Sequence, residues 1–161
     1  MLIRGKVIKY GDDINTDVIF PGRYLEITVP EEMAKHAMED LDTNFLEKVK
    51  EANIIVAGKN FGCGSSREQA ATCLKYAGID AIIAKSFARI FFRNAINQGL
   101  LVIECRDTDE INDGDKLEIN VDDGIINNLS NGKKFEFKPM PKFLMEIIKN
   151  GGLIPYIRRK I

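Results

Sequence analysis

The stretch of this chain best equipped for chemistry is a glycine-rich segment, Gly62-Cys63-Gly64-Ser65-Ser66-Arg67. Its glycines let the backbone turn tightly, or approach a ligand where a Cβ would clash. Ser65 and Ser66 add hydroxyl groups, and the guanidinium of Arg67 matches a carboxylate in bidentate geometry. Together these residue types predict a loop that binds a carboxylate and could take part in catalysis.

The flanking sequence places this loop between a strand and a helix. An apolar, β-branched run at Asn53–Val56 precedes it and indicates a buried strand, and residues 70–77 carry apolar side chains at helical spacing. The first N–H groups of a helix have no intrahelical acceptor and lie at the positive end of its dipole, so they form an anion site. The loop is therefore expected to hold an anion at a helix N-terminus.

The serines also fit a purely structural role. Ser65 and Glu68 have the spacing of a capping box, in which the serine hydroxyl accepts a hydrogen bond from the helix start. Ser66 and Gln69 have the same spacing. Two nucleotide-binding patterns do not fit, because Arg67 replaces the third dinucleotide-type glycine and no Gly-Lys-Ser/Thr ending is present. From these residues alone, a functional loop and a helix cap both stay open.

Composition argues against several classes of protein. At 161 residues the chain is most simply one domain, residues 1–161. Its formal net charge of −1 gives no electrostatic case for nucleic acid as the main partner. We expect no signal peptide and no membrane, since no apolar run approaches the length of a membrane span. Three cysteines without a CxxC pair suit a cytoplasmic protein.

The supply of metal ligands is poor. One histidine, His36, and the scattered Cys63, Cys73 and Cys105 make a weak set for a catalytic metal or an iron–sulfur cluster, so we expect none bound by this chain. His36 follows acidic and basic residues on a polar helix and is expected at the surface. Cys63 is either small buried filler or, at a helix start, a thiol of lowered pKa.

The rest of the chain alternates strands and helices before it changes to hairpins. The predicted strands before the change are Leu2–Tyr10, Asn53–Val56, Ala81–Ala84 and Leu100–Glu104, and the predicted helices are 28–38, 70–77, 87–98 with Ser86 as its cap, and 141–149. Strands joined by helices at this spacing pair in parallel through right-handed crossovers. The glycine loop then lies at the carboxyl end of its strand, where open α/β sheets place ligands.

Beyond Cys105, turn signals predict short strands at 116–121, 125–129 and 134–137. Ile90 and Phe143 are among the helical residues expected in the core. The predicted fold class is α/β: a single β/β/α domain whose mixed sheet has a parallel layer flanked by helices and C-terminal hairpin strands.

Three segments of the chain resemble a known family. Asn15-Thr16-Asp17, Lys59–Glu68 and Ser86–Asn94 are similar to segments of the small subunit of 3-isopropylmalate dehydratase, the separate swivel domain of the aconitase superfamily. The resemblance covers nearly the whole chain in order and length. It implies a hydro-lyase subunit that isomerises 2-isopropylmalate and 3-isopropylmalate by dehydration and rehydration in leucine biosynthesis. It also implies a partner, a larger subunit that carries a [4Fe–4S] cluster.

The resemblance further implies roles for matched residues. Ser65 would be the base, as an alkoxide, because a neutral hydroxyl is too weak. Arg67 would bind a carboxylate of the small diacid substrate, with Ser66 assisting and Gly64 beside it in the loop. Asp17 matches an active-site acid of the superfamily, although without the resemblance it is better interpreted as a turn carboxylate.

The substrate is less well defined. By resemblance, Leu25-Glu26-Ile27 would face the variable side chain of the substrate, where isopropylmalate-type chains tend to have an apolar residue at position 26 and homoaconitase-type chains an arginine. Glu26 would repel a third carboxylate. Either it points away while Leu25 or Ile27 lines the pocket, or the substrate is another malate derivative, such as citramalate or a dimethylmalate. A non-catalytic module that binds a small acid, and a homo-oligomer of the chain alone, also stay open.

Overall fold

A single seven-stranded sheet organises the chain in the computed structural model, which describes all residues 1–161. Its strands are β1 (Leu2–Lys9), β2 (Ile54–Val56), β3 (Ala81–Ala84), β4 (Leu101–Glu104), β5 (Lys116–Asn120), β6 (Ile125–Asn128) and β7 (Lys134–Glu136). The helices are α1 (Thr16–Ile19), α2 (Pro30–Ala34), α3 (Phe45–Lys48), α4 (Glu68–Ala77), α5 (Arg89–Asn97), α6 (Lys142–Lys149) and α7 (Leu153–Lys160). None of these helices combines the length and the apolar composition needed to cross a membrane.

The sheet has a parallel half and an antiparallel half, in the order β4-β3-β2-β1-β5-β6-β7. Strands β1 to β4 pair in parallel, each with the next along the chain. On the other side of β1, strands β5 to β7 pair antiparallel. The residues of β2 and β3 are fully buried, as strands covered on both faces must be. The predicted α/β fold class with a mixed sheet is confirmed.

Helix starts differ from the prediction because the expected serine caps are not used. Helix α4 begins after Arg67, and no side chain caps it, so the capping boxes predicted for Ser65 and Ser66 were wrong. Ser86 does not cap α5 either; its hydroxyl accepts a hydrogen bond from the Asn60 N–H at 2.8 Å. Ser86 therefore joins two loops instead of starting a helix.

The helix predicted to reach residue 38 ends at Ala34. Met38 takes a left-handed conformation (φ 60°), which a helix cannot continue through, and its N–H donates to the Ile19 carbonyl at 2.8 Å. Two predictions of burial were also wrong: the exposed fractions of Ile90 and Phe143 are 48% and 60%. Both residues lie on the solvent side of their helices.

Candidate functional site

The loops that follow β1, β2 and β3 lie side by side at the carboxyl end of the parallel half of the sheet. Backbone hydrogen bonds join them: the Thr16 N–H donates to the Cys63 carbonyl at 2.8 Å, and the Phe61 N–H donates to the Ser86 carbonyl at 3.0 Å. These loops contain the three segments that resemble the dehydratase family. Parallel pairing thus brings together residues that are far apart in the sequence.

The glycine loop needs its glycines. Gly62 and Gly64 adopt left-handed φ angles of 82° and 98°, which favour glycine. A Cβ on Gly62 would also overlap the side chain of Phe91 in α5. Phe91 is buried and packs edge-on against Phe61, with ring centroids 5.3 Å apart. Gly62 therefore allows α5 to pack directly on the loop.

Replacement of Gly62 by alanine is expected to lower the free energy of unfolding by roughly 2–4 kcal/mol, because backbone strain adds to the overlap with Phe91. Thermal or urea denaturation of the isolated chain measures this change. Gly132→Ala is the matched control, since Gly132 has a φ of 79° but no atom within 4 Å of an added Cβ. Equal losses of stability in the two variants would contradict the close approach of Phe91.

Free hydrogen-bond donors surround the start of α4. The backbone N–H groups of residues 65–69 donate to no acceptor within the chain. Gly64, Ser65 and Ser66 are exposed, and the helix that follows has ten residues. Because such N–H groups lie at the positive end of the helix dipole, they can bind an anion.

Arg67 extends from this loop to the segment after β1. Its Nη1 lies 2.7 Å from Oδ1 of Asp17 and donates to the Phe20 carbonyl at 3.1 Å. The turn at Gly22 packs closely on the guanidinium, since a Cβ on Gly22 would lie 3.3 Å from Nη2. The hydrogen bond within the chain uses Nη1, which leaves the Nε and Nη2 groups as a fork for a carboxylate. Asp17 is largely exposed, whereas the Arg67 side chain is only 20% exposed.

The hydroxyl of Ser65 has one partner within the chain, Thr16. The two side-chain oxygens lie 3.0 Å apart, and Thr16 Oγ1 also donates to the Ser65 carbonyl at 3.1 Å. Ser65 is exposed, whereas Thr16 is 1% exposed. From the sequence, Thr16 is only a neighbour of Asp17, with no predicted role of its own. The signal was present in the Asn15-Thr16-Asp17 segment, but nothing local indicated a contact with Ser65.

The segment expected to face the substrate follows a 3-10 turn at Gly22–Tyr24. Leu25 and Glu26 are exposed, and Ile27 is half-buried against the core. Because the turn packs against the guanidinium of Arg67 at Gly22, this segment continues directly from the candidate carboxylate site. The structure shows no contact between Glu26 and the glycine loop.

A network of charged and aromatic side chains anchors that turn. The Tyr24 hydroxyl donates to Glu39 at 2.6 Å, and the guanidinium of Arg23 binds Glu39 and Asp40 at 2.5 and 2.7 Å. The half-buried His36 stacks on Tyr24, with ring centroids 3.7 Å apart. His36 therefore supports the turn and does not stand free at the surface.

Metal-ligating side chains are dispersed in the fold. The chain has no group of three or more His, Cys, Asp or Glu residues placed to hold a metal ion. Cys73 and Cys105 are buried, and partial burial raises the pKa of the Cys63 thiol. Desolvation and the nearby Asp13 carboxylate both act against the thiolate, and Cys63 does not lie at a helix start, because α4 begins only at Glu68.

A well-formed cavity lies away from the candidate site. It has a volume of about 470 Å³ and lies between β4 and residues 137–141. Ser65, Arg67 and Asp17 do not line it. Gly64, Ser65 and Ser66 of the candidate site are instead exposed on the surface.

Comparisons with known proteins match this architecture. A family model described as the aconitase C-terminal domain matches residues 14–108. The 3-isopropylmalate dehydratase small subunit of Caldanaerobacter subterraneus subsp. tengcongensis is 56% identical over 160 residues, covering 99% of each chain. The 3-isopropylmalate dehydratase small subunit 1 of Archaeoglobus fulgidus is 54% identical, covering 96% of each chain.

Among solved structures, the crystal structure of 3-isopropylmalate dehydratase from Methanocaldococcus jannaschii superposes with a TM-score of 0.94. The two chains are 51% identical, and the match covers 99% of this chain and 95% of the other. Agreement at this level extends over the whole sheet and the three loops.

Proposed function

This chain belongs to the family of 3-isopropylmalate dehydratase small subunits in the aconitase superfamily, and we propose that it supplies the base and a carboxylate-binding loop to a two-chain hydro-lyase. The proposed reaction isomerises 2-isopropylmalate and 3-isopropylmalate, a step of leucine biosynthesis. The observation that carries the proposal is that one loop supplies the Ser65 hydroxyl, the Arg67 guanidinium and the free N–H groups of residues 65–69.

Dehydration of a hydroxy diacid needs a base for a carbon-bound proton and partners for the carboxylates. We assign the base to Ser65 Oγ, which takes the proton in dehydration and returns it in rehydration. A serine hydroxyl must ionise to act in this way. The free N–H groups of residues 65–69, the dipole of α4 and the charge of Arg67 all favour the alkoxide.

Arg67 is proposed to hold one substrate carboxylate through Nε and Nη2, with Ser66 and the backbone at Gly64 beside it. Asp17 would orient the guanidinium through its contact with Nη1. An arginine held by a carboxylate and a carbonyl on one side presents its remaining donors in a fixed direction. Asp17 thereby acts on the site through Arg67.

The proposed partner is a large subunit that carries a [4Fe–4S] cluster. The residues of this chain do not fit such a cluster. We therefore propose that the partner would hold it, and that the cluster would supply a Lewis acid for the leaving hydroxyl. The names of the relatives, which call them small subunits, support a larger partner. The exposure of the loops also supports a larger partner, because a covering chain would exclude water from the site.

We place this single domain, residues 1–161, in the cytoplasm, where its free thiols would stay reduced.

Anaerobic reconstitution tests this function. The purified chain is mixed with its cluster-bearing large subunit, and the unsaturated diacid is followed by ultraviolet absorbance. Isopropylmalate, citramalate, dimethylmalate and homocitrate are compared in parallel. Turnover only in the mixture supports the split hydro-lyase. Binding of an acid to this chain without turnover, despite an intact cluster, would favour the non-catalytic module.

Substrate choice yields a separate prediction at Glu26. The exposed carboxylate of Glu26 repels a third carboxylate, so homocitrate is expected to be a poor substrate. Glu26→Arg is expected to raise kcat/KM for homocitrate relative to isopropylmalate by roughly 10- to 100-fold, as the charge reversal removes repulsion and adds attraction. Steady-state rates on both acids measure this ratio.

The control is Glu31→Arg, which makes the same charge change on α2, outside the turn. If Glu31→Arg shifts the ratio as much as Glu26→Arg, net charge and not the Leu25-Glu26-Ile27 segment determines the preference. Efficient turnover of homocitrate by the two-chain enzyme with unmodified Glu26 would also refute this interpretation.

A further inference from the structure

We propose that Thr16 is a positioning residue that holds the Ser65 hydroxyl in place and donates a hydrogen bond to its oxygen once that oxygen has lost its proton. The inference rests on the proposed role of Ser65 as the base. It assigns a function to a buried hydroxyl that the proposed mechanism does not otherwise use.

The backbone of Thr16 is fixed from both sides. Its N–H donates to the Cys63 carbonyl at 2.8 Å, and its carbonyl accepts the Phe20 N–H at 2.9 Å. The side chain is 1% exposed, and a Cβ on Gly64 would lie 3.4 Å from Oγ1. The Thr16 hydroxyl therefore has a defined position under the glycine loop.

One proton on Thr16 faces two acceptors on Ser65. Oγ1 lies 3.1 Å from the Ser65 carbonyl oxygen and 3.0 Å from Ser65 Oγ. In the neutral loop, the Ser65 hydroxyl donates to Thr16, and Thr16 donates to the carbonyl. Both hydroxyl protons of the pair then have an acceptor.

Loss of the Ser65 proton to solvent leaves an oxyanion that can only accept. The Thr16 hydroxyl reaches it by rotation about its own C–O bond, because both acceptors lie at hydrogen-bond distance. A hydrogen bond to a charged oxygen is about twice as strong as a neutral one, so the exchange favours the alkoxide. When the alkoxide takes the carbon-bound proton of the substrate, Thr16 turns back to the carbonyl. No further reactant is needed.

The test compares Thr16→Val, which keeps the shape, with Thr16→Ser, which keeps the hydroxyl, in the reconstituted two-chain enzyme with isopropylmalate. Thr16→Val is expected to lower kcat by roughly 10- to 100-fold with little change in KM, as one hydrogen bond to a charged oxygen is lost. The acidic limb of the kcat–pH profile should move to higher pH by about one unit. Thr16→Ser should restore both.

Thr72→Val is the matched control, because Thr72 is a buried threonine whose hydroxyl donates to the Glu68 carbonyl, away from Ser65. If Thr16→Val does not assemble with the partner, Thr16→Ala serves as the second variant without the hydroxyl. A kcat of Thr16→Val or Thr16→Ala within threefold of the unmodified value, with the same pH limb, would overturn the proposal. So would a change in KM alone.

A double-mutant cycle separates this inference from the assignment of Ser65. The effect of Thr16→Val should vanish when Ser65 is already alanine, because the hydroxyl then has no oxyanion to stabilise. If Ser65→Ala itself retains activity, the base assignment fails. If Ser65→Ala is inactive but Thr16→Val is not impaired, only the role of Thr16 fails.

Discussion

Alanine at position 65 is expected to lower kcat of the reconstituted enzyme by roughly 10²- to 10⁴-fold, the range attributed to a positioned general base. KM should change little, because Arg67 and the N–H groups of α4 remain to bind the substrate carboxylate. The side chain of Ser65 is exposed and caps no helix, so the variant should fold normally. Steady-state rates on isopropylmalate measure the loss.

Exchange of the carbon-bound substrate proton with deuterated solvent gives a sharper readout. Ser65→Ala should abolish this exchange, because no group then takes the proton. Ser66→Ala is the matched control: its hydroxyl is also exposed in the same loop, but it is assigned to binding, so KM should rise while exchange continues. Turnover by Ser65→Ala within threefold of the unmodified enzyme would refute the base assignment.

The parallel half of the sheet could be predicted from the sequence alone. Short apolar runs such as Ala81–Ala84 alternate with amphipathic helices, and this order leaves parallel pairing as the expected arrangement. Turn signals around residues 122–124 likewise predicted the β5–β6 hairpin. These features follow from local patterns, so they can be predicted without knowledge of distant contacts.

Features that depend on tertiary hydrogen bonds could not be predicted in this way. Ser86 has the local pattern of a cap, but the Asn60 N–H from another loop uses its hydroxyl. Met38 lies within a helical pattern, yet its N–H donates to the Ile19 carbonyl and its left-handed conformation keeps the helix from reaching it. In both cases a partner distant in the chain overrides the local preference.

In the candidate site, too, local features could be predicted from the sequence and tertiary contacts could not. The glycine loop was predicted from its residue types, and the strand before it placed the loop at the carboxyl end of the sheet. The contact between Thr16 and Ser65 joins residues 49 positions apart, and only the pairing of β1 with β2 creates it. Asp17 and Arg67 were each singled out from the sequence, but their ion pair required the folded chain.

Replacement of Arg67 by glutamine is expected to lower kcat/KM by roughly 10²- to 10⁴-fold, equivalent to the loss of two charge-assisted hydrogen bonds worth about 3–6 kcal/mol together. Arg67→Lys should recover only part of this loss, because an ammonium group cannot present the planar fork of Nε and Nη2. Rates at several isopropylmalate concentrations separate KM from kcat. The Arg67 side chain is only 20% exposed, so each variant is first checked for native unfolding behaviour.

Arg23→Gln is the matched control for charge, since Arg23 lies in the adjacent turn but is already paired with Glu39 and Asp40. If Arg67 binds the substrate carboxylate, Arg67→Gln should raise KM far more than Arg23→Gln does. Equal effects would mean that the positive charge of the region acts at a distance and that no carboxylate binds at Arg67. A loss confined to kcat would instead place Arg67 beside the Ser65 alkoxide, since a group that stabilises only the reactive oxygen leaves substrate affinity unchanged.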